Sequence, residues 1–182
     1  MKKYCCWLLV LMSIMSLCSC SLAGSRLDML NTDSDEEKAD ARMAQVIDAI
    51  KDQDKDAIKA IFSKQALRET KDIDDGINYL FNLVKGDIKS WENERLASEG
   101  HIENGNKSII IDSWYTVTTD TEVYKIFLLD YTIDTINPDN AGLYSLRAIK
   151  AKDEKTQFTY MENMKIPGIF IPTTNSSQHS NQ

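Results

Sequence analysis

Two carboxylates stand in the most apolar, strand-like part of the sequence. Asp112 lies in a stretch rich in Ile, Val, Thr, Trp and Tyr, and Asp130 follows the apolar run 126–129. Because an apolar wall raises the pKa of a carboxyl group, either side chain could hold or accept a proton near neutral pH. Solvation at a sheet edge, or an ion pair with Arg147, accounts for the same residues without any catalysis.

Aromatic residues cluster in the same region of the chain. Trp91 and Trp114, together with Tyr115 and Tyr144, could stack on the ring of a ligand. Core packing is the commoner role of such side chains, so this pattern alone does not establish a pocket. The residues expected to line a pocket, if one exists, are Trp91, Asp112, Trp114, Asp130, Tyr131 and Tyr144.

Other chemistries have less support in the sequence. His101 falls in a predicted turn and His179 in the polar tail, so we expect neither a His-based triad nor a metal site. The acidic spacing of residues 52–56 resembles the start of a calcium loop, but the sixth position is Ala57 instead of Gly and the twelfth is Ser63 instead of Glu. No phosphate-binding Gly-rich loop is present. We therefore expect no cofactor or metal, and a non-enzyme in preference to an enzyme.

Helical periodicity precedes these residues. Apolar side chains recur at helical spacing from Met43 to Ile50 and again from Ile73 to Val84. Between them, Asp54 or Asp56 can cap a short helix that continues unevenly toward Leu67. The sequence thus predicts three helices before the sheet.

Extended segments follow Gly86. Asn104-Gly105 is a strong hairpin signal, and the run 126–129, apolar on both faces, predicts a central strand. Helices would cover one side of that strand, and a loop, a terminal segment or a second subunit the other. The sequence does not decide which face is concave. The predicted strands are 88–98, 107–118, 122–134 and 143–151, and residues 166–172 should form an extended segment that their prolines keep out of a central position.

The N-terminus resembles a bacterial lipoprotein signal. A basic start at Lys2-Lys3 precedes an apolar run, which closes with the quartet Leu17-Cys18-Ser19-Cys20. The resemblance implies that residues 1–19 are removed and that Cys20 carries the lipid, since two acyl chains anchor a protein stably. It also implies a place on the extracytoplasmic face of the bacterial cell membrane. An uncleaved anchor helix or a plain secretory signal is the alternative.

Processing at Cys20 would leave 19 basic and 28 acidic residues and a single cysteine. Nucleic acid is then an unfavourable partner, and no disulfide or thiol nucleophile remains within the chain. The expected organisation is a lipidated Cys and flexible linker over 20–36, one α+β domain over 37–172 and a disordered tail over 173–182.

The order of elements resembles the nuclear-transport-factor-2-like cone fold over Lys38–Ala151. The start Ser90-Trp91-Glu92 and the ending 167–172 further resemble a group of Gram-positive lipoproteins of unknown function. The resemblance implies an α+β fold in which three helices pack on a curved antiparallel sheet of about four strands. By likeness to ketosteroid isomerases and polyketide cyclases, Asp112 or Asp130 would be a general base, and Tyr131 or Tyr144 would polarise a carbonyl.

Three functions stay open at this point. The favoured hypothesis is a membrane-tethered module that binds a small apolar ligand or another envelope protein. The second is an enzyme of the isomerase or cyclase type, and the third is a structural or homodimerisation module. A pocket in which a carboxylate and a phenol converge favours the enzyme, whereas an apolar pocket without that pair favours the binder.

Overall fold

A computed structural model describes residues 34–157 and 165–172 of the chain. The predicted signal, the lipidation site at Cys20, most of the linker and the polar tail lie outside the described residues. Among the described helices, none is long and apolar enough to cross a membrane.

Four helices precede the sheet in the described part of the chain: α1 Asp35–Asp52, α2 Lys55–Ile61, α3 Lys64–Glu69 and α4 Ile73–Leu83. The predicted second helix is thus divided into two. The division falls at Ser63, whose hydroxyl caps α3 by accepting from the Ala66 N–H at 3.0 Å. Asp54 caps α2 in the same way at 2.9 Å from Ala57 N, so of the two predicted caps it is Asp54, and not Asp56, that serves.

The helices are followed by a curved sheet of five strands: β1 Ile88–Glu103, β2 Asn106–Thr119, β3 Val123–Asp134, β4 Gly142–Lys150 and β5 Gly168–Phe170. The strands lie in chain order, and the first four pair antiparallel. Short helical turns, Pro138–Asn140, Ala151–Asp153 and α5 Glu154–Gln157, flank β4. The α+β fold class is confirmed.

The turn of the hairpin between β1 and β2 is formed by the two residues that the sequence predicted. Asn104 and Gly105 both have positive φ, at 51° and 83°, as a tight two-residue hairpin turn requires. Because the turn takes only two residues, β1 extends to Glu103 instead of ending near Ser98. The distal part of the ribbon is exposed, including Ile102 at 73%.

The strand β5 makes the sheet mixed instead of purely antiparallel. It pairs parallel with β4 at the sheet edge, where the flanking prolines cost no ladder hydrogen bond. Gly168 has a φ of +84°, and a Cβ on it would lie 2.3 Å from the Thr70 hydroxyl oxygen. Ile169 packs directly on Gly76 of α4, so the segment is held against the domain as predicted.

The core lies between the helices and one face of the sheet. It includes Met43 and Ile47 of α1, Leu80 of α4 and, from the sheet, Tyr115 and Ile126. We call this side of the sheet the helix-covered face and the opposite side the outer face. The alternation along β3 also buries the outer-face residues Phe127 and Leu129, so the strand is buried on both sides, as its sequence predicted.

Candidate functional site

On the helix-covered face, the carboxylate of Asp130 is paired with a cation. Nε of Arg42 donates to Oδ2 of Asp130 at 2.8 Å, and Nη2 lies 3.4 Å from Oδ1. Asp130 is 4% exposed, so this two-pronged contact offsets the cost of burying its charge. The partner predicted from sequence was Arg147. The structure corrects this to Arg42, because Asp130 and Arg147 lie on opposite faces of the sheet.

A second polar contact joins α1 to the same face. The hydroxyl of Tyr115, which is buried, donates to Oδ1 of Asp40 at 2.9 Å. Burial and the neighbouring Asp40 raise the pKa of Tyr115, while Asn93 and Ser113 act in the opposite direction. The indole of Trp91 packs edge-on against the Tyr115 ring with centroids 5.6 Å apart. Trp91 is thus a core aromatic.

The outer face presents two rows of side chains across the strands. Register places Asp112, Leu129 and Ser145 in one row. The next row contains Trp114, Phe127, Arg147 and Phe170. The rings of Trp114 and Phe127 lie 4.7 Å apart, and the Arg147 guanidinium lies 4.1 Å above the Phe170 ring. A carboxylate and a hydroxyl therefore flank an apolar side chain beside an aromatic row.

Two polar atoms of the first row are buried without a hydrogen-bond partner among the residues that the structure describes. They are Oδ1 of Asp112 and Oγ of Ser145, and Ser145 as a whole is fully buried. Most buried polar groups in proteins are hydrogen-bonded, and leaving one unpaired costs about 1 to 3 kcal/mol. Unpaired atoms in one row mark this face as a candidate binding site.

The surroundings of Asp112 raise the pKa of its carboxyl group. Burial raises the pKa of Asp112 above its ordinary value, with Glu99 acting in the same direction. Lys165 and Arg95 lower it, but they do not outweigh the burial. A carboxyl group of this kind resists ionisation and gains from any hydrogen bond that a ligand donates to it.

Another carboxylate on this face is fully paired. Glu94 accepts hydrogen bonds from Thr116 and Lys125, and Lys125 lowers the pKa of Glu94 against the effect of its burial. An unpaired carboxylate oxygen is thus not a general property of the face. Buried polar atoms without a hydrogen-bond partner in the described residues also occur outside the row, at Oγ1 of Thr70 and Nδ2 of Asn93.

Arg147 is a buried charged residue of the outer face. It is 2% exposed, donates to the carbonyl of Gln157 at 3.4 Å, and burial lowers its pKa. The turn 151–157 contacts β3 and β4 beside it. The outer side of β3 is therefore covered at least in part by the chain itself, which agrees with one of the covers predicted from sequence.

The two predicted phenols lie at one end of the sheet. Register pairs Tyr131 with Ile110, which puts it on the same face as Asp112. Its ring meets that of Tyr144 edge-on at 5.7 Å, and the Tyr144 hydroxyl donates to Oε2 of Glu69 at 2.6 Å. Burial and Glu69 raise the pKa of Tyr144 to about 12, and burial also raises that of Tyr131.

The six residues expected to line a pocket are thus divided between the faces. Asp112, Trp114 and Tyr131 share the outer face, whereas Trp91 and Asp130 belong to the helix-covered face. Tyr144 lies in a bulge of β4 and contacts both Tyr131 and α3. Sequence reasoning missed Ser145 as a site residue. Its signal was a polar residue two positions before Arg147 in an otherwise apolar strand.

A separate groove of about 390 Å³ opens between the end of α1 and the start of β1. Its lining includes Lys51, Gln53, Gly86 and Asp87, and it contains none of the predicted site residues. Within residues 34–157 and 165–172, no group of three or more His, Cys, Asp or Glu side chains is placed to hold a metal ion.

Comparison with known proteins gives one result. Residues 45–151, more than half of the chain, match a family described as a domain of unknown function, DUF5104. The match begins within α1 and ends just after β4, so it includes every residue of the two outer-face rows except Phe170. None of the curated proteins matches the sequence.

Proposed function

The chain belongs to the DUF5104 family, whose function is unknown, and we propose that it is a binding module that takes a small ligand on its outer face. The observation that carries this proposal is the row of Asp112, Leu129 and Ser145. Oδ1 of Asp112 and Oγ of Ser145 are buried without a partner in the described part of the chain. Binding sites typically combine an apolar lining with a few polar groups that a ligand completes.

The direction of the site follows from the exposure of its residues. Asp112 and Trp114 are half-buried, whereas Ser145 and Arg147 are buried. A ligand would therefore contact the accessible side chains Asp112 and Trp114, because Leu129 and Ser145 are 1% and 0% exposed and offer it no open surface. The helix-covered face supports binding less well, because Asp130 and Tyr115 already have partners there.

We further propose that the module is a lipoprotein of the cone-fold type. Its lipobox-like quartet ends at Cys20, and the helices-then-sheet order resembles the nuclear-transport-factor-2-like fold. Lipid at Cys20 would hold the domain at the extracytoplasmic face of the bacterial cell membrane, where its partner is a small ligand or an envelope protein. Its acidic net charge favours a tethered domain over one that lies on an anionic surface.

Anchoring is tested by cell fractionation of the full chain. Cys20→Ala should move the protein from the membrane to the soluble fraction, and Cys18→Ala is the matched control that should stay in the membrane. Retention of Cys20→Ala would overturn lipidation and favour an uncleaved helix.

Binding is tested by saturation-transfer NMR on the full chain with ring compounds of three charges: methyl glucoside, benzamidine and benzoate. The proposal predicts that at least one binds and that Asp112→Asn weakens its binding at least tenfold. Glu92→Gln removes an exposed carboxylate from the same face and should leave binding unchanged. If no probe binds, or if Asp112→Asn has no effect, the outer face is not the ligand site.

An enzyme of the ketosteroid isomerase or polyketide cyclase type is the second candidate. It is favoured by one observation: Asp112, with its raised pKa, shares a face with Tyr131, and each carries a group that the proposed chemistry needs. Asp130 is less available to a substrate, because its carboxylate already accepts from Arg42 at 2.8 Å. If Asp112 is the base, Asp112→Asn should abolish proton exchange at the α-carbon of a bound ketone while Asp130→Asn retains it.

A sheet-to-sheet homodimer is supported less. Phe127, Leu129 and Ile149 are the apolar residues that such a dimer would use, and each is at most 1% exposed in the single chain. Sedimentation should therefore give a monomer.

A further inference from the structure

We infer that the distal half of β1 is a docking edge for an extended, basic segment of a partner protein, which would join the sheet as a further strand. The docking edge consists of residues 96–102, next to the hairpin turn. It is separate from the proposed ligand site, so either one can fail without the other. Three features carry the inference: the direction of the backbone groups, the way the sheet edges are protected and the charge beside the edge.

The first feature is a row of backbone groups that point away from the sheet. Because the hairpin turn takes two residues, the flanking pair Glu103 and Asn106 exchanges hydrogen bonds, whereas the next pair along the ribbon does not. Ile102 belongs to that next pair, and its partner Lys107 bonds to β3 instead. The Lys107 N–H donates to the Thr135 hydroxyl at 2.7 Å, and the Thr135 N–H donates to the Lys107 carbonyl at 2.9 Å. The backbone groups that face the free edge are therefore those of residues 96, 98, 100 and 102.

The second feature is that the two edges of the sheet are protected differently. At one edge, β5 has three residues and lies between Pro167 and Pro172, which limits its pairing with another chain. At the other edge, β1 has 16 residues, and both of its register shifts lie before Arg95. Residues 97–103 are all exposed and include no Pro, Lys or Arg. Because bulges, prolines and lysines are the features that keep a further strand away, the docking edge is open to one.

The third feature is the charge beside the docking edge, which selects the partner. The odd-numbered residues 97–103 lie on the outer face, where Glu99 and Glu103 are acidic and His101 Nε2 lies 3.2 Å from Oε2 of Glu103. The even-numbered residues lie on the helix-covered face and are uncharged, with Leu96 half-buried and Ile102 exposed. Opposite charges on neighbouring strands stabilise their pairing, and like charges oppose it. The partner that fits is a segment in which basic and apolar residues alternate, bound mainly through its backbone.

Hydrogen exchange of the backbone amides, followed by NMR on the full chain in detergent, tests the docking edge residue by residue. In the free chain, we expect the amides of residues 96, 98, 100 and 102 to exchange at least tenfold faster than those of residues 97, 99 and 101, which bond to β2. The probe is a seven-residue peptide of alternating lysine and valine, blocked at both ends. Its addition should slow the fast set at least tenfold and affect the slow set less.

Two control peptides separate strand addition from simple charge attraction. The first is the same peptide with every backbone nitrogen methylated, which keeps the charge but cannot donate to the edge. The second replaces each lysine with glutamate. We expect both to bind at least tenfold more weakly than the probe. On the protein, Ser98→Pro removes one outward N–H without breaking a bond to β2 and should weaken binding tenfold, whereas Ser98→Ala keeps that N–H and should not.

Equal binding of either control peptide would overturn the inference, because the backbone or the acids of the edge would then play no part. Absence of binding by the lysine peptide would also overturn it. If the outward amides are already slow in the free chain, the edge is covered and the inference fails, and sedimentation shows whether a second copy covers it. Thermal unfolding shows whether Ser98→Pro is folded, and the control peptides carry the test if it is not. Asp112→Asn should leave peptide binding unchanged, which separates the docking edge from the proposed ligand site.

Discussion

On the helix-covered face, buried polar side chains reach groups of α1: Asp130 meets Arg42, and Tyr115 meets Asp40. On the outer face, Asp112 and Ser145 point away from the helices and keep one buried atom each without a partner in the described residues. The two faces are the two sides of the same sheet. For these four side chains, the faces differ in whether the fold itself supplies the second half of each hydrogen bond. The contrast does not extend to every residue, because Asn93, opposite Tyr115 on the helix-covered face, also keeps a buried Nδ2 without a partner in the described residues.

The difference separates residues whose hydrogen bonds stabilise the fold from residues whose hydrogen-bonding atoms are left for a ligand to bind. Removing one partner of a paired buried group leaves the other uncompensated and is strongly destabilising, whereas removing a group that is already unpaired is not. Substitutions on the two faces should therefore have effects of different size and different sign.

The largest loss of stability should follow Arg42→Met. The substitution leaves the buried Asp130 carboxylate without its cation, so the free energy of unfolding should fall by about 3 to 5 kcal/mol. The exposed pair of Arg68 and Asp139, at 2.7 Å, is the control, and Arg68→Met should cost less than about 1 kcal/mol. Urea unfolding measures both. Equal losses would mean that burial of the Asp130 pair does not matter.

Tyr115→Phe should have the next largest effect. It removes a buried hydroxyl that donates to Asp40 and should lower the free energy of unfolding by about 1 to 1.5 kcal/mol. Tyr144→Phe is the matched control, because the Tyr144 hydroxyl also donates to a carboxylate, that of Glu69, but in an exposed position. Thermal denaturation should show the smaller shift for Tyr144→Phe, and the reverse order would contradict the assignment of Tyr115 to the core.

Asp112→Asn should change how stability depends on pH. Burial raises the pKa of Asp112 in the folded chain above its ordinary 3.8, so between these two values the folded state binds more protons than the unfolded state. Stability of the wild type then falls as pH rises through that window. The variant lacks this loss. The two proteins should match below pH 3.8, and the variant should gain up to about 1 kcal/mol above the window.

A pH series of urea unfolding curves measures this difference between Asp112→Asn and the wild type. Glu94→Gln is the control on the same face. Because Lys125 lowers the pKa of Glu94, that substitution should lose stability as pH rises instead of gaining it. A parallel response of the two variants would show that Asp112 is also paired.

Ser145→Ala should have the smallest effect on stability. The hydroxyl has no hydrogen-bond partner among the described residues, so its removal should not lower the free energy of unfolding and should raise it by up to about 1 kcal/mol. Ser63→Ala is the matched control, since the Ser63 hydroxyl caps α3, and it should cost about 1 kcal/mol. A loss of that size at Ser145 would indicate a hidden partner.

Local signals in the sequence were sufficient for much of the fold. The periodicity of Met43–Ile50, the Asn104-Gly105 turn and the doubly apolar centre of β3 each depend on near neighbours, and each prediction agrees with the structure. The division of the second helix was missed because it depends on Ser63, whose backbone N–H donates to the carbonyl of Leu143, 80 residues away.

The candidate site was harder to predict because it depends on register. Alternation along β2 predicts that Asp112 and Trp114 share a face. The position of Asp130 follows only from the strand register: Leu129 pairs with Asp112 and shares its face, so the next residue, Asp130, lies on the other face. A bulge between β3 and β4 then aligns Ser145 with Leu129. The partner of Asp130 is 88 residues distant in sequence, and no local pattern points to Arg42. The parallel pairing of the edge strand β5 with β4 likewise depends on tertiary contacts, and no local pattern in the sequence predicts it.

The most direct test of the contrast between the faces makes one chemical change on each side of the sheet. Asp112→Asn and Asp130→Asn are compared with the wild type by urea unfolding at pH 7. We predict opposite signs: Asp130→Asn loses about 3 kcal/mol, whereas Asp112→Asn is as stable as the wild type or more stable. A loss at Asp112 as large as that at Asp130 would contradict the account, because it would show that the outer-face carboxylate belongs to the fold and is not free for a ligand.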